Sequence, residues 1–140
     1  MALQVKELAR RCAVTSDAIR YYTRIGLLQP VRDANNKYRL FNDEDLRRLN
    51  FIQRAKSLGY TLGEIKKIFE ESRRGNSPCP MVRDIIQRRI EQTRRRLQQE
   101  LKLQERMEQA LRQWQDMADG VPDGHSICRL IESFDDDQGG

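Results

Sequence analysis

The chain has 140 residues, of which 38% are hydrophobic, 6% aromatic and 34% charged, and its net charge is +5. That length makes one or two small units, and that composition cannot bury a large core alone, so extended helices and a partner subunit are expected to complete it. The basic balance suits nucleic acid or a membrane surface, but no apolar run is long enough to span a bilayer and no signal-peptide pattern follows Met1, so a cytoplasmic protein is expected.

Val5, Leu8, Ala9 and Cys12 recur at helical spacing and form the buried stripe of a first helix. Cys12 lies in that stripe and reads as a small core residue. Three cysteines, an odd number, make no disulfide framework, and in a reducing compartment they are core residues, thiol sensors or metal ligands. Ala13-Val14 turns the chain into a second helix, so the pair forms a helix-turn-helix. Thr15 stands at the N-cap, Ser16 and Asp17 fill the first turn, and Gly26 ends this helix. Ala18, Ile19 and Tyr22 share its inner face, while Asp17, Arg20, Tyr21 and Arg24 share the outer one. Two guanidinium groups beside a phenol on a solvent face are suited to an anion. After Leu27-Leu28-Gln29-Pro30, Arg32 and Lys37-Tyr38-Arg39 flank the turn-prone Asp33 to Asn36, which reads as two short strands around a basic turn. Helix plus basic wing points to double-stranded DNA.

Asn42 is the next N-cap candidate, with Asp43, Glu44 and Asp45 in the first turn, and Leu46, Leu49, Ile52 and Ala55 mark the inner face of that helix up to Gly59. Thr61 caps a further helix whose stripe is Leu62, Ile65, Ile68 and Phe69. Arg47, Arg48 and Arg54 can either touch phosphates or form a solvated basic face. Residues 73–78 are a breaker cluster and the one convincing linker. Cys79-Pro80 then opens a segment without Gly or Pro up to Gly120, a helix of roughly 57 Å at 1.5 Å per residue, which suits a coiled coil. Ile86, Ile90, Leu97, Leu101, Met107, Leu111 and Trp114 supply an apolar seam near period 3.5, interrupted by Thr93, Glu100 and Gln104. Arg88, Arg89 and Arg94 to Arg96 read as its solvated flank. The segment from Ala118 to Arg129 is a loop, a short helix ends near Phe134, and residues 135–140 form an acidic tail expected to be disordered.

Asp119, Asp123, His125 and Cys128 are potential metal ligands in or beside that loop. Imidazole and thiolate three residues apart can close on one borderline-soft ion such as zinc. Spacing alone favours the plainer reading, a surface loop with an incidental histidine. An enzyme is not expected, because the chain has no glycine-rich phosphate loop, no nucleophile elbow, no paired carboxylates in a plausible cleft and a single histidine.

IRYYTRIGLL, followed by Tyr38-Arg39 and then RRLNFIQRAKSLGYTLGEIKKIF, closely resembles the MerR family of bacterial transcription regulators. The resemblance covers essentially the whole chain and is most specific over Val5 to Phe69. It implies antiparallel pairing of the long helix, a direction that the heptad pattern alone leaves open. In such a dimer, Cys79 of one subunit meets the 119–128 loop of the other. In metal-sensing members a cysteine at the Cys79 position resembles the mark of divalent-ion sensors, where copper and gold sensors carry serine. A cysteine matching Cys128 recurs in both kinds. This chain departs from those sensors at Ala118, Asp119 and Gly120, where one or two further cysteines usually stand. A site of Cys79, His125 and Cys128, with Asp119 or Asp123 as a further candidate, is less soft than the family norm and favours zinc, with cadmium, cobalt or lead as other candidates. The cysteine cluster of SoxR-type members is absent, and the chain ends before the large C-terminal domain of drug-sensing members would begin.

The expected architecture is therefore mainly α: a winged helix-turn-helix DNA-binding domain with a second helical hairpin over 1–75, a dimerisation helix over 76–118 forming an antiparallel coiled coil, a metal-sensing loop and short helix over 119–134, and the tail. The expected function is a homodimeric regulator, not an enzyme, that activates transcription when it binds a divalent metal. Arg20, Tyr21, Arg24, Arg32, Lys37, Tyr38 and Arg39 are the candidate DNA contacts. The resemblance further implies promoter elements set too far apart, DNA distorted on metal loading, and RNA polymerase engaging the same promoter. A regulator answering a thiol-reactive signal through Cys79 or Cys128, and a purely architectural DNA-binding dimer, are the alternatives.

Overall fold

A computed structural model describes residues 2–135; the expected tail lies outside the described residues apart from Asp135. The mainly α, winged helix-turn-helix architecture with a long helix is as expected. The elements are α1 (Val5–Cys12), α2 (Ser16–Arg24), β1 (Val31–Arg32), β2 (Arg39–Leu40), α3 (Asp43–Ser57), α4 (Leu62–Arg73), α5 (Cys79–Trp114) and α6 (Arg129–Glu132). They form two compact units, divided after Ile86.

The helix starts follow from local hydrogen bonding. Thr15 Oγ1 accepts from the Ala18 N–H at 3.0 Å. Asn42 and Asp45 form a reciprocal capping box on α3, and Thr61 and Glu64 form one on α4. The stops are as local. Gly26, at φ 89°, lets the chain turn so that the Leu27 N–H donates to the Tyr22 carbonyl at 2.9 Å, and Gly59, at φ 90°, does the same for Tyr60 and Ala55 at 3.1 Å.

The first unit closes around Leu8, Ile19, Leu27, Leu28, Phe41, Leu49, Ile52 and Ile65, each at most 1% exposed. Cys12 packs against this core, and burial pushes its thiol pKa up. Leu3 pairs with Phe41 as an isolated antiparallel bridge, which ties the start of the chain to the end of the wing. Tyr60 donates its hydroxyl to the Val82 carbonyl at 2.7 Å, so the first turns of α5 belong to this unit, with Ile85 buried in its core.

Helix α5 runs 36 residues, about 54 Å at 1.5 Å per residue. It ends at Trp114, not at 118. The Trp114 ring meets Phe134 edge-on, with centroids 6.5 Å apart, and Ser133 Oγ donates to Met117 Sδ at 3.8 Å, so the chain leaves helical geometry to fold back within the second unit. Ile90, Leu97, Leu101, Met107 and Leu111 of the expected seam are all more than half exposed in the single chain, and Leu103 adds a further exposed apolar side chain.

Candidate nucleic-acid interface and sensor loop

Helix α2 buries Ile19 and Tyr22 and leaves Arg20, Tyr21 and Arg24 outside, as its periodicity requires. Arg20 Nη1 lies 3.0 Å from Asp17 Oδ1, and both side chains are open to solvent, so the pair adds little stability and the guanidinium is available for exchange to a stronger anion. The Arg24 guanidinium lies 5.2 Å from the Tyr21 ring centroid. Across from α2, the wing pairs Val31 with Leu40 and Arg32 with Arg39, so the two arginines stand opposite each other on one face of the ladder. Its tip is closed by side chains. Asp33 Oδ1 accepts from the Asn35 N–H at 2.8 Å, and Asn36 Oδ1 accepts from the Tyr38 N–H at 3.0 Å. Lys37 sits at φ 62°, and its carbonyl accepts from Arg32 Nη1 at 3.3 Å.

Between helix and wing lies a cleft of about 500 Å³ lined by Gln4, Val5, Lys6, Arg20, Arg32, Lys37, Tyr38 and Arg39. The structure thus brings Arg20 together with all four wing candidates, while Tyr21 and Arg24 lie outside the cleft on the same helix. No acidic side chain lines it. Gln4 and Lys6, at the start of α1, are additions that sequence reading missed; the only signal was the position of Lys6 beside the Val5–Leu8 stripe. The cleft can hold a string of phosphates against one wall while α2 presents its outer face.

The arginines of α3 have other company. Arg48 pairs with Glu44 at 3.1 Å and stacks 5.6 Å from the Phe69 ring centroid, so its side chain is engaged within the helical hairpin. With Arg47, Phe51, Ile68, Ser72, Arg73 and Pro78 these residues line a second cleft of about 460 Å³.

Arg39 and Arg20 differ in what they can do within that cleft, and mutation separates them. Arg39→Ala is expected to weaken binding to all duplexes alike and to reduce the salt dependence by about one phosphate contact per protomer. Arg20→Ala is expected to cost more at the operator than at random DNA, by roughly 1–3 kcal/mol, as loss of a base-edge contact does. Titrations of both variants on both duplexes at several salt concentrations check this; equal losses on the two DNAs would make Arg20 a phosphate anchor only.

In the second unit the loop is organised by two carboxylates. Asp123 Oδ1 accepts from the N–H groups of His125 (2.9 Å) and Ser126 (3.0 Å) and from the Ser126 hydroxyl (3.3 Å), and these bonds hold its carboxyl below the usual carboxylate range. Glu132 Oε1 accepts from the N–H groups of Ile127 (2.5 Å) and Cys128 (2.7 Å) and so supplies the cap that Cys128, at the N-cap of α6, does not make with its side chain. Gly120 lies against Arg129: a β-carbon there would meet Arg129 Cβ at 3.0 Å. His125 and Asp119 are exposed and Cys128 is half-buried. The side chains of His125 and Cys128 enter no hydrogen bond among the described residues. Cys79 is exposed at the first position of α5, in the first unit, its N–H donated to Ser77 Oγ at 3.3 Å. Among the described residues, no three His, Cys, Asp or Glu side chains gather in one chain as a metal site.

Comparison with known proteins bears on both regions. The family described as MerR HTH regulatory proteins matches residues 3–72, and the family described as MerR, DNA binding, matches residues 46–117. The mercuric resistance operon regulatory protein of Bacillus cereus is 33% identical over 136 residues, which cover 96% of this chain and 98% of that protein. The HTH-type transcriptional regulator ZntR of Escherichia coli K12 is 27% identical, over 94% of this chain and 92% of its own length. The crystal structure of the transcription regulator PbrR691 from Ralstonia metallidurans in complex with lead(II) superposes with a TM-score of 0.69 at 25% identity, covering 94% of this chain and 98% of that one.

Proposed function

The chain belongs to the MerR family of helix-turn-helix regulatory proteins, DNA-binding transcription regulators that are not enzymes, and from that premise we propose that it is a homodimeric regulator that switches a promoter on when it binds a divalent metal ion. The observation that carries the metal reading is the end-to-end likeness to a mercuric resistance regulator in a chain whose loop leaves one imidazole and one thiol, His125 and Cys128, unspent.

The donor set fits a borderline-soft ion. His125 and Cys128 hold it from one subunit and Cys79 from the other, which suits zinc before cadmium, cobalt or lead. Asp119 is the better fourth candidate, because Asp123 already spends one carboxylate oxygen on three donors in the loop. A divalent ion held by these residues would supply positive charge for the thiolates and any carboxylate around it. The chain's own residues do the rest: Arg20 and the wing hold DNA, and α5 pairs the two copies. The exposed apolar stripe of α5 supports that pairing. Transcription changes with metal to the extent that the ion binds the activating conformation more tightly than the repressing one. RNA polymerase on the same promoter is the reader of that change.

Transcription in vitro from the protein's own operator, with purified polymerase and added zinc, cadmium, cobalt or lead, tests this reading. A rise with metal, together with metal retained by the dimer, is the expected result. Unchanged transcription with all four ions contradicts it.

A further inference from the structure

Among the described residues, Asp45 is the one charged residue in the buried set, at 2% exposure. A capping box explains one of its oxygens: Oδ2 accepts from the Asn42 N–H at 3.2 Å, while its own N–H donates to Asn42 Oδ1 at 2.9 Å. The other oxygen does something a cap does not need. Oδ1 accepts from the N–H of Gln29, sixteen residues earlier, at 3.0 Å. Gln29 and Asn42 are the two ends of the wing. Gln29 follows the buried Leu28, and Asn42 follows the buried Phe41. Between them the ladder is only two residues per strand, too short to hold its own register firmly.

We propose that Asp45 is the positioning residue of the wing: its single buried carboxylate joins both ends of the segment that carries Arg32, Lys37, Tyr38 and Arg39, and so sets where those side chains stand relative to Arg20. The inference rests on the DNA-binding reading of that cleft. A carboxylate is required because both partners are backbone donors, and only an ionised carboxylate offers each an acceptor oxygen on one short side chain. Its charge is further favoured at the N-terminus of α3. Asparagine has nearly the same shape but one acceptor, and its NH2 would face a donor.

The test compares Asp45→Asn, Asn42→Ala and Arg39→Ala with the wild-type protein in DNA titrations across salt. Asp45→Asn is expected to lower the slope of log affinity against log salt by about two per protomer, the share of Arg32 and Arg39 at roughly 0.9 per phosphate, and so by about twice that for the dimer. The operator-to-random preference carried by α2 is expected to stay within about twofold. Asn42→Ala, which removes the α3 cap and keeps both bonds to the carboxylate, is expected to keep the wild-type slope. If Arg39→Ala lowers the slope and Asp45→Asn does not, the positioning role is overturned while the DNA reading stands. If neither variant moves it, the wing is not on DNA and both fall. Should Asp45→Asn fail to fold, amide hydrogen exchange of the wild-type protein decides. The Gln29 and Asn42 amides are expected to be protected like those of Leu49 and Ile52; exchange as fast as that of Ala34 at the wing tip overturns the proposal.

Discussion

Replacing either Cys79 or Cys128 by serine is expected to abolish the metal response and to leave metal-free DNA binding at its wild-type level. Neither thiol lines the basic cleft, whose lining comes from α1, α2 and the wing. Neither thiol makes a bond that folding needs: Cys79 is exposed, and Cys128 makes no cap bond to α6. Each is needed for the ion, because loss of either leaves a single thiolate beside His125 and Asp119, too few soft donors for tight zinc. Loss of an outer-shell partner alone costs about 10–100-fold in metal affinity, so loss of a thiolate is expected to exceed that range. Cys12→Ser is the control. That thiol packs against the core with a raised pKa, so the variant is expected to lose about 1 kcal/mol of stability and keep the full response. Because thiols must shed their protons to bind, metal loading is expected to release protons and to weaken as pH falls. His125→Ala is expected to hurt zinc and cobalt more than cadmium, since mainly thiolate donors remain. Metal titrations of the variants, read alongside operator binding, check all of these. A double cysteine variant that still answers zinc would remove the loop from the mechanism.

The second large effect is on assembly. Leu97 is 63% exposed in the single chain, so an aspartate there costs the folded protomer almost nothing. The cost arises only if a partner covers it. Burying a leucine is worth about 1.5–3 kcal/mol, and a twofold interface contains the residue twice. An unpaired carboxylate in the same place adds a desolvation penalty of several kcal/mol. Leu97→Asp is therefore expected to weaken the dimer by more than about 1000-fold and to abolish operator binding, although every residue of the basic cleft is unchanged. Sedimentation and circular dichroism report the outcome. A Leu97→Asp protein that sediments as a dimer with native helicity would show that α5 does not pair through this stripe.

What could be read from the sequence was whatever is encoded within a turn or two of chain. Thr15, Asn42 and Thr61 cap helices because their side chains reach backbone N–H groups three residues on, and Gly26 and Gly59 stop helices because few other residues accept their φ. The arginine face of α2 follows from a period of 3.6. The misses are all long-range. Asp45 looked like an ordinary first-turn acid, since nothing in a local pattern shows an oxygen reaching back to Gln29. Helix α5 ends at Trp114, whose ring meets Phe134 twenty residues later, whereas the sequence offers no breaker before Gly120. Lys6 joins the basic cleft only because α1 starts beside the wing. Of the proposed ligands, His125 and Cys128 stand three residues apart in one loop, whereas Cys79 lies in the first unit, and no spacing rule links Cys79 to Cys128.

That link is the centre of the account, and mixing the two cysteine variants tests it most directly. Cys79→Ser and Cys128→Ser homodimers each lack a thiolate at both sites. A heterodimer of the two has one site missing both thiolates and one site with the Cys79 of one chain and the Cys128 of the other intact. Metal retained after subunit exchange, measured by elemental analysis of the isolated heterodimer, is expected to be half the wild-type amount per dimer, where either homodimer alone retains almost none. A heterodimer as empty as its parents would contradict a site shared between subunits.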